Sequence, residues 1–402
     1  MFPLWGNGSG SYFRALSSEL VKHGHDVAIV APEKRKVEQV KIFLATPPQN
    51  GVFVGHPEMP TAKKFGDMTG KEYGDIYASY LKTSLEAVEQ FKPDVIHVFH
   101  TAFLPEIARI IKAFYGIKYI ITTHGSDLSY LVKDRRFIPL IADANRTSRY
   151  IHANSDFTRD WYLQMFGNDL KRKMVVLMGG VNMTNFKRDP AQIENINTTY
   201  NLGGKKVVLF TGRLTIHKGV IYLIKAAAAI KGTVVIVGDG PERAAIEQEI
   251  KERRLTNVVM VGYINNTDPM FHAFYERANV YVSPSIWDEP LGLTILEAMG
   301  SRTAVVATRK GGVVDIIQEN VNGFMIRARN SKEIASTVNM LLENDNLREK
   351  IANAAHQTVL EKFTWEKITE RFIKLYTDCK TKEKIKDAGP LDDLVKKILW
   401  GK

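Results

Sequence analysis

Short runs of β-branched and aliphatic residues alternate with stretches of helical spacing along nearly the whole chain. In the first half the strand candidates are 25–31 ("HDVAIVA"), 94–99, 118–124 ("KYIITTH"), 149–154 and 173–179. Helical stretches at 75–91 and 104–115 lie between them. The second half repeats the rhythm, with strands at 206–212 ("KVVLFTG"), 233–238, 257–262, 280–285, 303–308 and 323–327. Unbroken Val/Ile runs, without polar alternation, predict strands buried on both faces, as in parallel sheets covered by helices. Strands alternating with helices predict βαβ units. The polar stretch 182–205 breaks the pattern and reads as a linker. The fold class is therefore α/β, as two doubly wound Rossmann-like domains facing across a cleft, with domains at 1–185 and 186–378. Ligands in such sheets bind beyond the carboxyl ends of the strands.

Composition narrows the class without fixing the chemistry. The 402 residues are 45% hydrophobic and 25% charged, an ordinary globular balance. One cysteine, Cys379, excludes an intramolecular disulfide and fits a reducing compartment. No apolar run approaches a membrane span, and the first residues lack a signal-peptide pattern, so the expected location is cytoplasmic. The net charge of +11 suits an anionic partner. No nucleic-acid motif accompanies it, and none is expected as a partner.

The polar residues that matter follow strands. After "VVLFTG" come Arg213 and Lys218, two cations suited to a diphosphate, though two solvated surface charges meet the same spacing. Gly238 and Tyr263 follow the next two strands, where a glycine turn admits close approach of a ligand or simply turns the chain. His124 and Asp127 follow "KYIITT", where a histidine can reach a cleft or be a satisfied structural residue. Gly8 and Gly10 belong to a glycine-rich loop feeding a helix, a general anion site whose spacing does not match the dinucleotide fingerprint. His97 and His100, three apart on a strand, point to opposite faces and are not expected to share a metal. Asp-x-Asp, a usual carboxylate pair for a metal diphosphate, is absent.

The densest signal is "EPLGLTILE", 289–297. Pro290 and Gly292 disfavour a helix, so Glu289 is expected on a loop. A helix should start near Leu293 and end at Gly300. Glu289 can accept from sugar hydroxyls, and Glu297 from a ribose diol through its two oxygens. The backbone N–H groups at Leu291, Gly292 and Leu293 would open toward a phosphate. Glu297 lies among Ile295, Leu296, Ala298 and Met299, so its carboxylate needs a partner.

Together with "TTHGSD", "ANSDFTRD", "GGVNMTNF", "VGDGPER" and "ATRKGGVVDII", these stretches resemble the retaining nucleotide-sugar glycosyltransferases of family four, whose fold is called GT-B. The resemblance covers roughly residues 6–378. It implies a UDP- or GDP-sugar donor and a glycan or lipid-linked acceptor. It also implies transfer with retained configuration and no cofactor or metal. Arg213 and Lys218 would grip the diphosphate, Glu297 the ribose and Glu289 the transferred sugar. Leu291 and Gly292 would meet sugar or phosphate through backbone. His124 would shape the reaction site, and Gly8 and Gly10 would lie against donor and acceptor. A nucleotide-sugar epimerase, or a catalytically weak nucleotide-sugar-binding protein, shares the same architecture.

Two departures from the family pattern stand out. The chain opens at "MFPLWGNGSG", so either the true start lies upstream or the N-terminal domain lacks its usual first strand, which would leave neighbouring strand edges open. The tail 379–402 carries Leu391, Leu394, Val395, Ile398 and Leu399 at helical spacing beside lysines. It either packs on the body or touches an anionic membrane surface at the inner face.

Overall fold

The computed structural model describes residues 4–5, 8–52, 61–186, 188–266 and 268–380. The amphipathic reading of the tail falls outside them. Every strand expected from an unbroken apolar run is present. The second half holds β9 Val207–Thr211, β10 Thr233–Val237, β11 Val258–Gly262, β12 Val280–Ser283, β13 Ala304–Thr308 and β14 Phe324–Ile326. They form one six-stranded parallel sheet in the order β11-β10-β9-β12-β13-β14. All residues of β9, β10, β12 and β13 are buried, as helices on both faces require. The chain winds outward one way from β9 and the other way from β12. The switch point of the sheet therefore lies between these two strands, and a crevice opens beyond their carboxyl ends.

The first half is built in pieces. β1 Val27–Ala31 pairs in parallel with β2 Val40–Leu44, and the short β3 Gly51–Val52 with β4 Lys63–Lys64. A separate parallel sheet runs β5 Ile96–Phe99, β6 Tyr119–Thr123, β7 Tyr150–Ala153 and β8 Met174–Val176. β2 went unrecognised because "VKIFL" follows a charged, proline-containing segment and is exposed at two positions.

β1 and β5 do not pair. Between them runs a cavity of about 520 Å³ lined along the full length of both strands, by residues including Ile29, Val98, Tyr80 and Tyr376. Leu4 stands at its lining and is buried against Ile29, Ala31 and Val37. Among the described residues an apolar slot therefore lies between β1 and β5.

The linker reading of 182–205 needs amendment. Pro190–Thr199 is a helix, capped by Asp189 through the N–H groups of Ala191 and Gln192, with Pro190 in its first turn. The last described helix, Trp365–Cys379, also departs from the expected boundary, because it returns to the first half. Tyr376 Oη lies 2.6 Å from His97 Nδ1, and Asp378 accepts from Arg149 and Tyr150. The two crossings are stapled together: Val181 N–H donates to Phe363 O at 2.8 Å, and Trp365 N–H to Val181 O at 3.3 Å. A Cβ on Gly180 would meet Trp365 N at 2.8 Å, which is why the crossing needs glycine there.

Candidate functional site

The loop after β9 and the loop after β12 meet at the switch point. The first carries Arg213 and the turn Ile216–Lys218; the second carries 284–292. Their backbones are locked together. Ile286 N–H donates to His217 O at 2.9 Å, and Gly219, at φ +62°, has no room for a Cβ, which would sit 2.2 Å from Pro284 O. Lys218 Nζ reaches Glu289 Oε1 at 2.6 Å, and Ser285 Oγ donates to the same oxygen at 2.6 Å. Glu289 is buried, which alone would raise its carboxyl. The Lys218 charge and the bonds from Lys218 and Ser285 outweigh that, and hold it below the usual carboxylate range. Lys218 keeps two further N–H donors for a ligand.

A third loop braces Glu289 from behind. Gly312 N–H donates to Glu289 O at 2.7 Å. Gly311 has φ +55°, and a Cβ there would lie 2.4 Å from Glu289 O. Gly311→Ala is therefore expected to displace the 288–290 backbone, lowering kcat by roughly tenfold or more, as geometric misplacement at a reacting centre does. Steady-state kinetics beside a thermal melt checks this; unchanged kcat with a lowered melting point would assign Gly311 to stability alone.

The helix Leu293–Gly300 starts where the sequence placed it. Gly292 caps it in the left-handed region, φ +76°, and no side chain caps its first turn. Its leading N–H groups thus point out of the helix start, with the positive end of the dipole behind them. One turn on, Glu297 accepts from Tyr275 Oη at 2.6 Å. Its apolar surroundings raise the carboxyl to about 7, against the lowering effect of Tyr275.

Glu297 and Leu293 line a cavity of about 550 Å³ between the halves, with Tyr12, Arg14, Asn266 and His272. Three buried polar atoms on this lining lack a hydrogen-bond partner among the described residues: Tyr12 Oη, Asn266 Oδ1 and His272 Nδ1. Buried polar groups are ordinarily paired, so this lining is chemically incomplete without a polar ligand or water. Across the cavity mouth Asn266 Nδ2 donates to Ser11 Oγ at 3.1 Å.

The first half closes on the same loop. A Cβ on Gly125, φ +88°, would strike Pro290 Cγ at 2.6 Å, so His124 is carried to the edge of the 289–292 segment. His124 Nε2 is buried without a hydrogen-bond partner among the described residues, and burial holds its imidazole well below the usual range, so it is neutral. Asp127 has a different place from the one the sequence suggested. Its carboxylate is buried and accepts from Thr101 N–H, Thr123 Oγ1, His124 N–H and Leu128 N–H, at 2.7–3.2 Å. With its oxygens so engaged it fixes the His124 turn and does not face a ligand.

The remaining expected residues scatter more widely. Gly8 lies beside Leu293, with a Cβ there 3.8 Å from Leu293 Cδ1, whereas Gly10 lines the β1–β5 slot. Leu291 packs against Gly179 of the first half. Gly238 touches Gly212, next to Arg213; a Cβ would meet Gly212 O at 1.9 Å, so its φ of +144° serves that contact. Tyr263 is 57% exposed and lies outside the lining of the interdomain cavity. Sequence reasoning missed Tyr12, Ser285, Asn266, His272 and Tyr275. Only Ser285, a polar residue just past β12 and four before Glu289, carried a local signal; the others converge from helices and loops far apart in the chain. Among the described residues no three His, Cys, Asp or Glu side chains gather as metal ligands.

Comparison with known proteins adds to this geometry. Residues 6–185 match the family model described as Glycosyltransferase Family 4, and residues 192–358 that described as Glycosyl transferases group 1. An uncharacterised glycosyltransferase of Methanocaldococcus jannaschii is 27% identical over 92% of this chain and 94% of its own. The alpha-maltose-1-phosphate synthase of Mycolicibacterium smegmatis is 24% identical over 88% of this chain and 94% of its own. Among solved structures, Anabaena HepE in complex with UDP-glucose superposes with a TM-score of 0.72 at 19% identity, covering 93% of this chain and 97% of its own. The fold is therefore two Rossmann-like domains of the GT-B kind.

Proposed function

The chain belongs to the group 1 glycosyl transferases, and from that membership we propose that it moves a sugar, with retained configuration and without a metal, from a nucleotide-diphosphate sugar to a hydroxyl of a glycan or lipid-linked acceptor. The observation that carries the donor assignment is the meeting of Lys218, Glu289 and an uncapped helix start at the switch point between β9 and β12. The helix start and Lys218 take the diphosphate, with Arg213 completing the positive surface. Glu289, held ionised, accepts from hydroxyls of the transferred sugar, and Glu297 accepts from the ribose diol. The C1–O bond to the diphosphate breaks as the acceptor oxygen bonds to C1 from the same face. The acceptor proton passes to the departing diphosphate oxygen. Lys218 and Arg213 stabilise the charge that develops there, which is differential transition-state binding. Neutral His124 sits beside this centre and donates or accepts a hydrogen bond without adding charge. The named relatives are glycosyltransferases and synthases rather than epimerases, which supports the transferase reading.

A thermal-shift screen of UDP-, GDP- and ADP-sugars tests the donor step, since stabilisation follows ligand concentration over the dissociation constant. One sugar nucleotide is expected to raise the melting point and the others not. No response to any would remove the donor assignment.

Glu297 gives this screen a pH signature. Its folded value, about 7, exceeds that of an unfolded glutamate. The stability it contributes is present below the unfolded value and is lost as pH rises through about 7. The diol prefers the carboxylate, so ligand stabilisation should grow between pH 6 and pH 8, while the diphosphate diester stays charged throughout. Glu297→Gln should melt higher at pH 8 without ligand, and lose both the ligand response and its pH dependence. A variant that keeps full ligand stabilisation contradicts the ribose role.

A further inference from the structure

Beside the Lys218–Glu289 pair the two halves build a row of aromatic rings that the donor reading does not use. His217, next to Lys218, lies 5.2 Å from the ring of Trp287, two residues before Glu289. Trp287 lies 6.2 Å from Trp161, on the first-half helix Asp156–Phe166, and Trp161 lies 6.0 Å from Phe157. His217 is exposed; Trp287, Trp161 and Phe157 are each half-buried, and Ile216 at the head of the row is 62% exposed. Charged groups flank the rings. Asp315 Oδ2 accepts from Asp156 N–H at 3.1 Å across the gap between halves, Arg159 Nη2 reaches Asp160 at 2.7 Å, and Lys310 reaches Asp288 at 3.5 Å.

We propose that the His217–Trp287–Trp161–Phe157 row is a platform for an oligosaccharide acceptor, leading its terminal hydroxyl to the Glu289 centre. This rests on the glycosyltransferase reading above and specifies the acceptor as a glycan chain of more than one sugar. The chemistry follows from the surface. An aromatic face is electron-rich and takes the slightly positive C–H face of a pyranose, while rim carboxylates and a guanidinium take its hydroxyls. Ligand sites combine apolar or aromatic lining with a few placed polar groups, and this strip does so. Asp156, Asp160, Asp288 and Asp315 lie beside the row, and such carboxylates suit sugar hydroxyls better than a lipid tail. Neighbouring rings are tilted at 51–69° to one another, so each offers a separately oriented surface, and a chain that bends along the row gains several contacts where a single sugar gains one.

The test exposes the full-length chain to an array of immobilised oligosaccharides of two or more units beside their monosaccharides, with UDP melts run in parallel. The expected result is binding to at least one oligosaccharide series over its own monosaccharide. Trp287→Ala and Trp161→Ala should each weaken it at least tenfold, Trp161→Phe should retain most of it, and UDP affinity should stay within twofold in all three. Binding to no oligosaccharide, or equal binding by wild type and both alanine variants, overturns the platform. A wild-type chain that captures a glycan but is stabilised by none of the UDP-, GDP- and ADP-sugars supports the platform while removing the donor reading, so the two fail separately.

Discussion

Lys218→Ala is expected to lower kcat by about 10²–10³-fold, the scale on which one preorganised donor to a developing oxyanion acts. The variant loses more than a positive charge at the leaving group. Lys218 is also the cation that holds Glu289 ionised in a buried setting. Without it the burial effect stands against the Ser285 bond and a more distant His217, and the Glu289 carboxyl rises. The linkage then changes sign. In the native protein Glu289 titrates below its unfolded value, so its stabilisation is present above that value and lost as pH falls through the folded one. In the variant the raised carboxyl contributes stability at low pH and loses it as pH increases. Melting curves between pH 5 and pH 8 should therefore converge at the acid end and diverge at the alkaline end. Adding Glu289→Gln to Lys218→Ala should restore the melting point by removing the stranded carboxylate, without restoring turnover. If the single variant keeps wild-type kcat at saturating donor, the cation does not act on the leaving group.

The sequence carried the second half of the fold almost completely, because its strands are apolar runs, and four of the six, β9, β10, β12 and β13, are buried throughout. The positions of Arg213, Lys218 and Glu289 were legible for the same reason: each follows such a run by a few residues, and the ends of neighbouring strands must lie together. What the chain did not disclose was which groups face each other across elements. Lys218 and Glu289 were read as separate ligand contacts, yet they form a pair before any ligand arrives. Asp127 looked like a cleft residue by position, but four internal donors consume its oxygens. Tyr275, which fixes Glu297, lies in the last turn of the helix Pro269–Arg277, with no local pattern to mark it. Such contacts depend on how helices pack over a sheet, and periodicity is blind to that.

Joining a six-residue Val/Ile strand ahead of Met1 is expected to stabilise the first half by about 5 kcal/mol. The estimate weighs roughly 1.5–3 kcal/mol for each fully buried side chain and about 1 kcal/mol per new hydrogen bond against the roughly 1.5–3 kcal/mol of ordering each residue. The slot between β1 and β5 has the shape for it: about 520 Å³, mostly apolar, with edges of β1 and β5 on either side that are unpaired among the described residues. Leu4 already packs at its lining, and the helix Gly8–Lys22 follows directly and leads into β1. A strand running into Leu4 alongside β1 completes a right-handed β-α-β crossover, the hand such units adopt. Parallel pairing on both sides joins β1–β2 to β5–β8 in one sheet and removes two open edges. Gly10 lines the slot and Gly8 lies against Leu293, so the same insertion is expected to hold the start of the helix Gly8–Lys22 against the helix Leu293–Gly300, and turnover should rise with stability. The control replaces two alternate Val residues of the added strand by Asp. It should cancel the gain in a thermal melt, because a carboxylate buried between two sheets has no partner there. If the Asp-bearing and Val-bearing strands stabilise equally, the added segment lies on the surface and the slot is not a strand site.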